Sequence, residues 1–394
     1  MNVRDLERNQ RWFWWPLLPL YPYGKKRTLF KELITDLLWS FEQLQGLYYV
    51  AVPVRLTVVK VRGGLMIFNP LPPTKELLDG LSTLISKHGP IKTIVLPTAS
   101  GLEHKISLPS LARAFPDAQL WICPGQWSFP LPLPLDWLGI PKTRTKILIE
   151  DGFPHEESCK WLSLGPLDIG LGRFQEISCY HKPSRSLLVT DALVGISVSP
   201  PDLFNLDPTP LLFHARERGG EQLNDSTELR RKGWSRLVLF ASFLRPYLLD
   251  IPTLNHIFSE SLEPGLRNLR SHFGIYPFSW KENWDDSMDE LLGRNEPLIQ
   301  IAPVIERLIF PRARKTFLDW LDDLTTLKGI RWLIPAHYEA PLKFSSREVK
   351  SFRTKILRKK WAPSEANWQF LDSIDKALLK TKIVPIDPLR KFKD

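Results

Sequence analysis

The chain has 394 residues, 43% of them hydrophobic, which is enough for one large globular domain or two ordinary ones and excludes a disordered or fibrous protein. Its formal net charge of +10 comes from scattered basic residues rather than a concentrated stripe, so nucleic-acid binding is not favoured, while attraction of small anions or anionic lipid headgroups stays open. Three widely spaced cysteines, Cys123, Cys159 and Cys179, predict buried thiols in a reducing compartment rather than a disulfide framework.

The N-terminal 46 residues begin with an aromatic segment and continue with an apolar pattern of helical period. Residues 12–21 are rich in tryptophan and proline and lie between Arg11 and the basic run Lys25–Arg27. This makeup suits a membrane interface, and a strap of rings across the protein's own surface is the alternative. Residues 28–45 are predicted to form an amphipathic helix that ends at Gly46. Neither a membrane-spanning run of roughly 20 apolar residues nor a cleavable signal peptide is evident, so we do not expect a secreted protein.

A β-rich stretch follows, and after it helices and strands alternate. β-branched and aromatic residues predict a meander of three strands between Tyr48 and Phe68, with Arg62–Gly64 as its last turn. A helix (Thr74–Lys87), a strand (Ile91–Leu96), a polar loop, a second helix and another strand come next, an order typical of an α/β sandwich. The polar loop lies at the carboxyl end of a strand, where open α/β sheets place their chemistry.

The later part of the chain is predicted to leave this architecture and return to it. Residues 47–199 form the first part of one domain, and residues 304–345 complete it, because the strand-like run Ile330–Ile334 resumes the earlier pattern. Between them, residues 200–303 change to a helical pattern, which we interpret as a helical insertion that caps the domain. Residues 346–394 are predicted to be a basic C-terminal extension, helical and then extended.

Three separate loops carry an acid or a histidine at the end of a predicted strand. The loop Thr98–His104 ends in Glu103 and His104, Asp191 follows a second apolar run, and His337 follows a third. In this order the loops resemble those of the metallo-β-lactamase superfamily, whose first loop reads T-H-x-H-x-D-H. The resemblance implies an α/β fold of the αββα sandwich type, with a metal site built from these residues.

The resemblance also implies that the site is reduced from two metal ions to one. Ala99 and Gly101 stand where the first two histidines of the superfamily loop would be, and residues 170–174 offer no histidine in place of a third. A mechanism that clamps a substrate between two ions is therefore not expected. The remaining donors suit one divalent cation, Zn²⁺, Fe²⁺ or Mn²⁺, and a hydrogen-bonded polar cluster without any metal is the alternative. The implied ligands are Glu103, His104, Asp191 and His337.

Three further residues are candidates for contacting a substrate. Glu176 lies on the strand before the one that delivers Asp191, while His214 and Arg216 lie early in the helical insertion. Insertions at this point of the superfamily often cover the site, so guanidinium contact with an anionic substrate is one interpretation and a salt-bridged helix face is the other. The sequence contains no G-x-S-x-G elbow, no P-loop and no zinc-type C-x-x-C pair.

Two stretches, SGLEHK at residues 100–105 and PGQWSFP at residues 124–130, are similar to an uncharacterised family of cyanobacteria and plastids, and the similarity covers residues 12–345. It implies the cytoplasm or stroma of a phototroph and no established activity. Our first hypothesis is a hydrolase with a single metal site that acts on an ester, thioester or phosphoester of unknown identity. The second is a non-catalytic binding or assembly protein that uses its Trp- and Pro-rich surface at a photosynthetic membrane. The sequence leaves the oligomeric state open.

Overall fold

The structure is a computed structural model that describes residues 9–11, 17–126, 133–168, 173–268, 273–292, 298–358 and 365–384. In this part of the chain, two β-sheets pack face to face and helices cover the outer face of each sheet. The first sheet consists of β1 (Leu20–Tyr21), β2 (Leu29–Ile34), β3 (Leu38–Leu47), β4 (Val50–Val61), β5 (Gly64–Phe68), β6 (Ile91–Leu96), β7 (Gln119–Ile122) and β8 (Thr145–Ile147).

The first sheet changes from antiparallel to parallel along its width. Its strand order is β1-β3-β4-β5-β6-β7-β8, with β2 paired to β3. Strands β2 to β5 form an antiparallel meander, whereas β5 to β8 run parallel to one another. The carboxyl ends of the parallel strands therefore meet at one edge of the sheet.

The second sheet joins two distant parts of the chain. Its members are β9 (Cys159–Asp168), β10 (Arg173–His181), β11 (Ser186–Leu188), β16 (Trp332–Ile334) and β17 (Leu342–Lys343), in the order β17-β16-β11-β10-β9. Strands β11 and β16 are parallel, with Leu188 opposite Ile334, so their carboxyl ends lie side by side. Two small sheets pair β12 (Val194–Ile196) with β15 (Leu298–Gln300) and β13 (Leu249–Asp250) with β14 (Ser279–Trp280).

Eleven helices are described, along with short 3₁₀ turns. They are α1 (Lys75–His88), α2 (Leu102–Lys105), α3 (Leu108–Ala114), α4 (Thr209–Ala215), α5 (Thr227–Phe243), α6 (Leu254–Ser261), α7 (Trp284–Leu292), α8 (Pro303–Leu308), α9 (Arg314–Thr325), α10 (Ser346–Arg358) and α11 (Glu365–Lys380). The 3₁₀ turns are Leu135–Leu138, Lys142–Arg144, Asp202–Asn205 and Phe310–Ala313.

Burial of apolar side chains on both faces of each sheet explains the layered order. Side chains such as Val95 from the first sheet and Ile177 from the second share one core between the sheets. Helices α1 and α3 cover the outer face of the first sheet, and α9 covers that of the second with Trp320 and Leu321. The αββα sandwich predicted from the sequence is thus confirmed, since each sheet can bury two apolar faces only between other layers.

The helix predicted over residues 28–45 is wrong, because this segment forms the hairpin β2–β3. Asp36 takes a left-handed backbone conformation (φ 55°) at the turn, where the Glu32 carboxylate accepts hydrogen bonds from the Asp36 N–H (2.9 Å) and the Trp39 indole (3.1 Å). Strand β3 also pairs over its whole length with β4. The apolar spacing fits a helix locally, but pairing with a distant strand decides the structure.

Other predicted elements lie close to their observed bounds. The predicted helix Thr74–Lys87 is α1, and Thr74 caps it by accepting a hydrogen bond from the Leu77 N–H (3.2 Å). Within residues 200–303 the described elements are mainly the helices α4 to α7, whose core also includes Tyr21 from β1 and Tyr49 from the β3–β4 turn. The tryptophans of residues 12–16 lie outside the described residues. No described helix combines the length and apolar character needed to span a bilayer.

Candidate metal centre

Three loops at one edge of the sandwich deliver the four implied ligands. Glu103 and His104 lie on the one-turn helix α2, just after β6 in the first sheet. Asp191 follows β11, and His337 follows β16 in the second sheet. Because β11 and β16 are parallel neighbours, Asp191 and His337 emerge beside each other and face the α2 loop.

The structure brings all four side chains together. Nε2 of His337 lies 3.1 Å from Oδ1 of Asp191 and 3.4 Å from Oε1 of Glu103. Nε2 of His104 lies 3.9 Å from the same Glu103 oxygen. The donor atoms of Glu103, His104 and His337 lie within 4.8 Å of one another, a spacing at which they could share a metal ion.

Backbone carbonyls orient both imidazole rings. Nδ1 of His104 lies 3.0 Å from the Pro70 carbonyl oxygen, and Nδ1 of His337 lies 3.3 Å from that of Pro53. Since a carbonyl can only accept, each Nδ1 carries the hydrogen, and Nε2 of the neutral ring offers its lone pair to the centre. A hydrogen bond from the second nitrogen to a carbonyl is the usual way in which proteins orient a metal-binding histidine.

The electrostatics of the cluster favour a positive charge between its carboxylates. Burial lowers the pKa of His104, so this ring is neutral and its Nε2, which has no hydrogen-bond partner among the described residues, is open. Burial also opposes protonation of His337, but hydrogen bonds with Asp191 and Glu103 raise its pKa well above the ordinary value. Burial likewise opposes ionisation of Glu103, yet the bond with His337 and the nearby His104 hold its pKa below the ordinary value. A proton on His337 therefore supplies a positive charge between the carboxylates of Asp191 and Glu103.

Glu176 holds the loop that carries Asp191. Its carboxylate is fully buried and accepts hydrogen bonds from three consecutive backbone N–H groups, those of Thr190 (2.7 Å), Asp191 (2.7 Å) and Ala192 (2.8 Å). Burial and the nearby Asp191 raise the pKa of Glu176 to about 7. Both oxygens accept hydrogen bonds from the backbone and the side chain is buried, so no described contact supports the predicted role of Glu176 at a substrate, which stays a prediction.

Arg55 holds the loop that carries His337, and the sequence reasoning missed it. Its backbone N–H donates to Ala336 O (2.7 Å), and its guanidinium donates to the carbonyls of Pro335 and Tyr338 (2.6 Å to the latter). The buried carboxylate of Glu42 pairs with the same guanidinium at 2.8 Å. A charged residue inside an apolar strand was the available signal, but its partner Glu42 lay in the segment assigned to a helix.

His214 and Arg216 have contacts elsewhere in the structure. His214 is buried on α4 with Nε2 3.1 Å from the Tyr49 carbonyl oxygen, and the Arg216 guanidinium lies over the Phe213 ring. The carbonyl of Arg216 accepts hydrogen bonds from the Tyr276 hydroxyl and from a neighbouring arginine. None of these described contacts reaches the four clustered side chains, so a substrate role for His214 and Arg216 stays a prediction.

The two positions that lack a histidine face different surroundings. Ala99 is buried, and its N–H donates to the Gln175 carbonyl oxygen at 2.9 Å. A Cβ atom at Gly101 would lie 3.5 Å from both Glu103 Oε1 and His104 Cδ2. Position 101 therefore borders the cluster. Because it is a glycine, this position contributes no metal-ligating side chain.

Several solved structures are similar to the chain. A metallo-β-lactamase from Pontibacter korlensis matches at 11% identity and a TM-score of 0.39, over 84% of this chain and 99% of its own. The mono-zinc form of the metallo-β-lactamase FIM-1 from Pseudomonas aeruginosa matches at 8% identity and a TM-score of 0.38, over 84% and 95%. A mutant flavo di-iron protein from Thermotoga maritima matches at 12% identity and a TM-score of 0.44; the match covers 86% of this chain and only 64% of that protein.

The sequence comparisons give a family but no activity. Comparison with curated proteins gives no match. The sequence profile of one family, described as Domain of unknown function (DUF4336), matches residues 35–354 and so covers most of the chain. The chain therefore belongs to the DUF4336 family, whose matched region contains all four clustered side chains.

Proposed function

We propose that the protein is a hydrolase that uses one divalent cation, held by Glu103, His104, Asp191 and His337, to cleave an ester, thioester or phosphoester. One observation carries this proposal: ligand atoms of Glu103, His104 and His337 lie within 4.8 Å of one another, and the Asp191 carboxylate lies 3.1 Å from Nε2 of His337. Two carboxylates and two neutral imidazoles offer only lone pairs there, so the arrangement is favourable only around a positive charge.

The donor set fits a metal ion better than a proton alone. A proton on His337 satisfies Asp191 and Glu103 but leaves Nε2 of buried His104 without a hydrogen bond. A buried polar nitrogen without a partner costs about 1 to 3 kcal/mol. A cation at the centre satisfies this nitrogen together with the other donors, and a set of two nitrogens and two oxygens suits Zn²⁺, Fe²⁺ or Mn²⁺.

A divalent cation in such a site supplies Lewis acidity, which lowers the pKa of a nearby water and polarises a substrate carbonyl or phosphoryl group. The protein's own residues position the ligands and exchange protons with solvent. The backbone bonds of Glu176 and Arg55 fix the Asp191 and His337 loops, so the donors need no rearrangement. The side chain of Glu103 is 26% exposed. Of the four proposed metal ligands it is therefore the one best placed to exchange a proton with solvent.

The proposal is tested by the metal content of purified protein and by titration of metal-free protein with Zn²⁺, Fe²⁺ and Mn²⁺. We expect about one equivalent of one of these ions, and a loss of affinity of at least about tenfold in His104→Ala, because one ligand is removed. His256→Ala serves as the matched control, since His256 is an exposed histidine on α6. Absence of stoichiometric metal, or equal binding by His104→Ala and wild type, would overturn the proposal.

A non-catalytic binding protein on the same scaffold is the second candidate. The observation that favours it is the indole of Trp137, which is 77% exposed. Trp127 and Trp12 to Trp15, the other rings of this hypothesis, lie outside the described residues. A role at a photosynthetic membrane, in the cytoplasm or stroma of a phototroph, belongs to this candidate and gains support if the chain binds anionic vesicles but no metal.

A further inference from the structure

We infer that two copies of this chain associate through the exposed apolar face of α6, which forms the centre of a symmetric dimer interface. The inference goes beyond the proposed hydrolase and does not depend on it. It is carried by the apolar side chains that α6 presents to solvent, by the charge of the segment around them, and by the area they offer to a partner.

Helix α6 turns most of its apolar face away from the protein. Leu254 and Phe258 on the helix and Leu262 at its C-cap are spaced four residues apart, so they share one face. These three side chains and that of Ile251, just before the helix, are between 57% and 74% exposed, whereas Ile257 is buried. In an ordinary surface helix the apolar stripe faces the core. Here the fold buries one edge of the stripe and leaves the rest in water.

Polar contacts fix α6 in this orientation. The Glu260 carboxylate accepts a hydrogen bond from the Gly219 N–H at 3.3 Å, and its other oxygen lies 3.6 Å from Nε2 of His256. Thr253 caps the helix by accepting a hydrogen bond from the His256 N–H (3.4 Å). A rotation of α6 that buried Phe258 would break these contacts. The face is therefore best covered by a second molecule.

The charge of the segment favours a second copy over a lipid surface. The chain carries a formal net charge of +10, but residues 245–267 contain two basic residues, Arg245 and Arg267, and three acidic ones, Asp250, Glu260 and Glu263. A helix that inserts into an anionic membrane has an excess of lysine and arginine beside its apolar side chains, which this segment lacks. Two copies of a basic chain repel each other least where the surface is not basic.

The exposed area matches what a stable dimer needs. Side chains of this size present roughly 100 to 200 Å² each when fully exposed, so the four together leave about 400 Å² of apolar surface in water. A standard interface buries about 800 Å² per partner, a little over half of it apolar. The α6 face therefore supplies about the apolar area that one partner contributes.

Symmetry then places Phe258 at the centre. An apolar face is complementary to itself, and a two-fold axis brings the same face of both copies together. Phe258 lies midway between Leu254 and Leu262 on the stripe. In an antiparallel pair of α6 helices, Phe258 thus packs against its own copy, and each Leu254 packs against the Leu262 of the other copy.

The test is sedimentation velocity of the full chain over a concentration series from about 1 to 100 μM. We expect wild type to pass from monomer to dimer and Phe258→Asp to stay monomeric. A substitution acts on both copies of a symmetric dimer, so the dissociation constant should rise about a hundredfold, tenfold for each buried charge. Trp137→Asp is the matched control, because Trp137 is an exposed aromatic residue outside α6, and it should dimerise as wild type does.

A cysteine variant locates the interface by position rather than by affinity. Phe258→Cys places two thiols at the two-fold axis, so oxidised glutathione should link the copies into a disulfide-bonded dimer, whereas Trp137→Cys should stay unlinked. Cys123, Cys159 and Cys179 are buried, which keeps the background low. Both substituted side chains are exposed in the single copy, so the fold should survive, as circular dichroism of each variant would show.

Three results would overturn the dimer. The first is wild type that stays monomeric over the whole series. The second is Trp137→Asp that loses the dimer as completely as Phe258→Asp does, or Trp137→Cys that cross-links as readily as Phe258→Cys. The third is monomeric wild type that binds phosphatidylglycerol vesicles through Phe258, which would assign the α6 face to a membrane.

Discussion

The two ends of the sandwich hold buried histidines that differ in how completely their rings are bonded. At the site end, His104 bonds through Nδ1 to the Pro70 carbonyl, and its Nε2 has no hydrogen-bond partner among the described residues. At the opposite end, Nδ1 of His181 lies 2.8 Å from Ser184 Oγ and Nε2 lies 3.1 Å from the Lys60 carbonyl oxygen. A fully bonded imidazole is explained by the fold alone, whereas an open nitrogen beside carboxylates calls for a ligand.

The ends also differ in what fixes their loops. At the opposite end, the described contacts of His181 are neutral hydrogen bonds to a turn and to a strand of the facing sheet. At the site end, two buried charged groups, Arg55 and Glu176, hold the loops that carry His337 and Asp191. Burying a charge is costly unless it is paired or fully hydrogen-bonded, so the site end depends more strongly on individual side chains.

The largest effect is expected for Arg55→Met, which removes the guanidinium from the His337 loop and leaves Glu42 buried without its partner. Breaking a buried ion pair on one side typically costs about 3 to 5 kcal/mol, so the free energy of unfolding should fall by this amount in a denaturant titration. Arg27→Met is the matched control. Arg27 pairs with Glu76 at the surface, where an ion pair contributes less than about 1 kcal/mol. Similar losses in the two variants would contradict a special role for the buried pair.

A smaller effect is expected for Glu176→Gln, which keeps the shape of the side chain but replaces one acceptor by an NH₂ group. At least one of the three N–H groups at residues 190–192 then loses its partner, so stability should fall by about 2 kcal/mol. Metal affinity should fall about tenfold, because the Asp191 loop is less well fixed. Glu150→Gln, at an exposed carboxylate, should change neither quantity. Loss of stability with unchanged metal affinity would show that Glu176 supports the fold without positioning the site.

Local patterns located strands, whereas the four site residues came from a family resemblance. β6 was predicted at its observed bounds, and the resemblance of three loops to those of the metallo-β-lactamase superfamily implied Glu103, His104, Asp191 and His337. The αββα order also follows from alternation of elements along the chain.

The features of the site that the sequence did not predict depend on pairing between distant segments. Glu42 and Arg55 are opposite each other only in the β3–β4 register, and residues 28–45 fit a helical period equally well when considered alone. The role of Glu176 as an acceptor for three N–H groups requires the path of the Asp191 loop, which no spacing in the sequence specifies.

The last effect is of similar size, concerns the fully bonded end and appears only when the pH changes. Burial lowers the pKa of His181 from 6.5 to about 4, so the folded protein holds this ring neutral while the unfolded chain takes up a proton near pH 6.5. The unfolded state thus binds more protons between these values. The stability that neutral His181 contributes is fully present above pH 6.5 and is lost as the pH falls towards 4. At pH 5 the loss should be about 2 kcal/mol relative to pH 8.

His181→Gln cannot take up this proton, so its free energy of unfolding should depend less on pH than that of the wild type. The difference in stability between wild type and variant should shrink by about 2 kcal/mol from pH 8 to pH 5, measured by urea unfolding at both values. Taking this difference cancels the contributions of other titrating groups, such as buried His214. An equal difference at both pH values would mean that the bonded ring is protonated in the fold, and the contrast between the two ends would then lose its electrostatic basis.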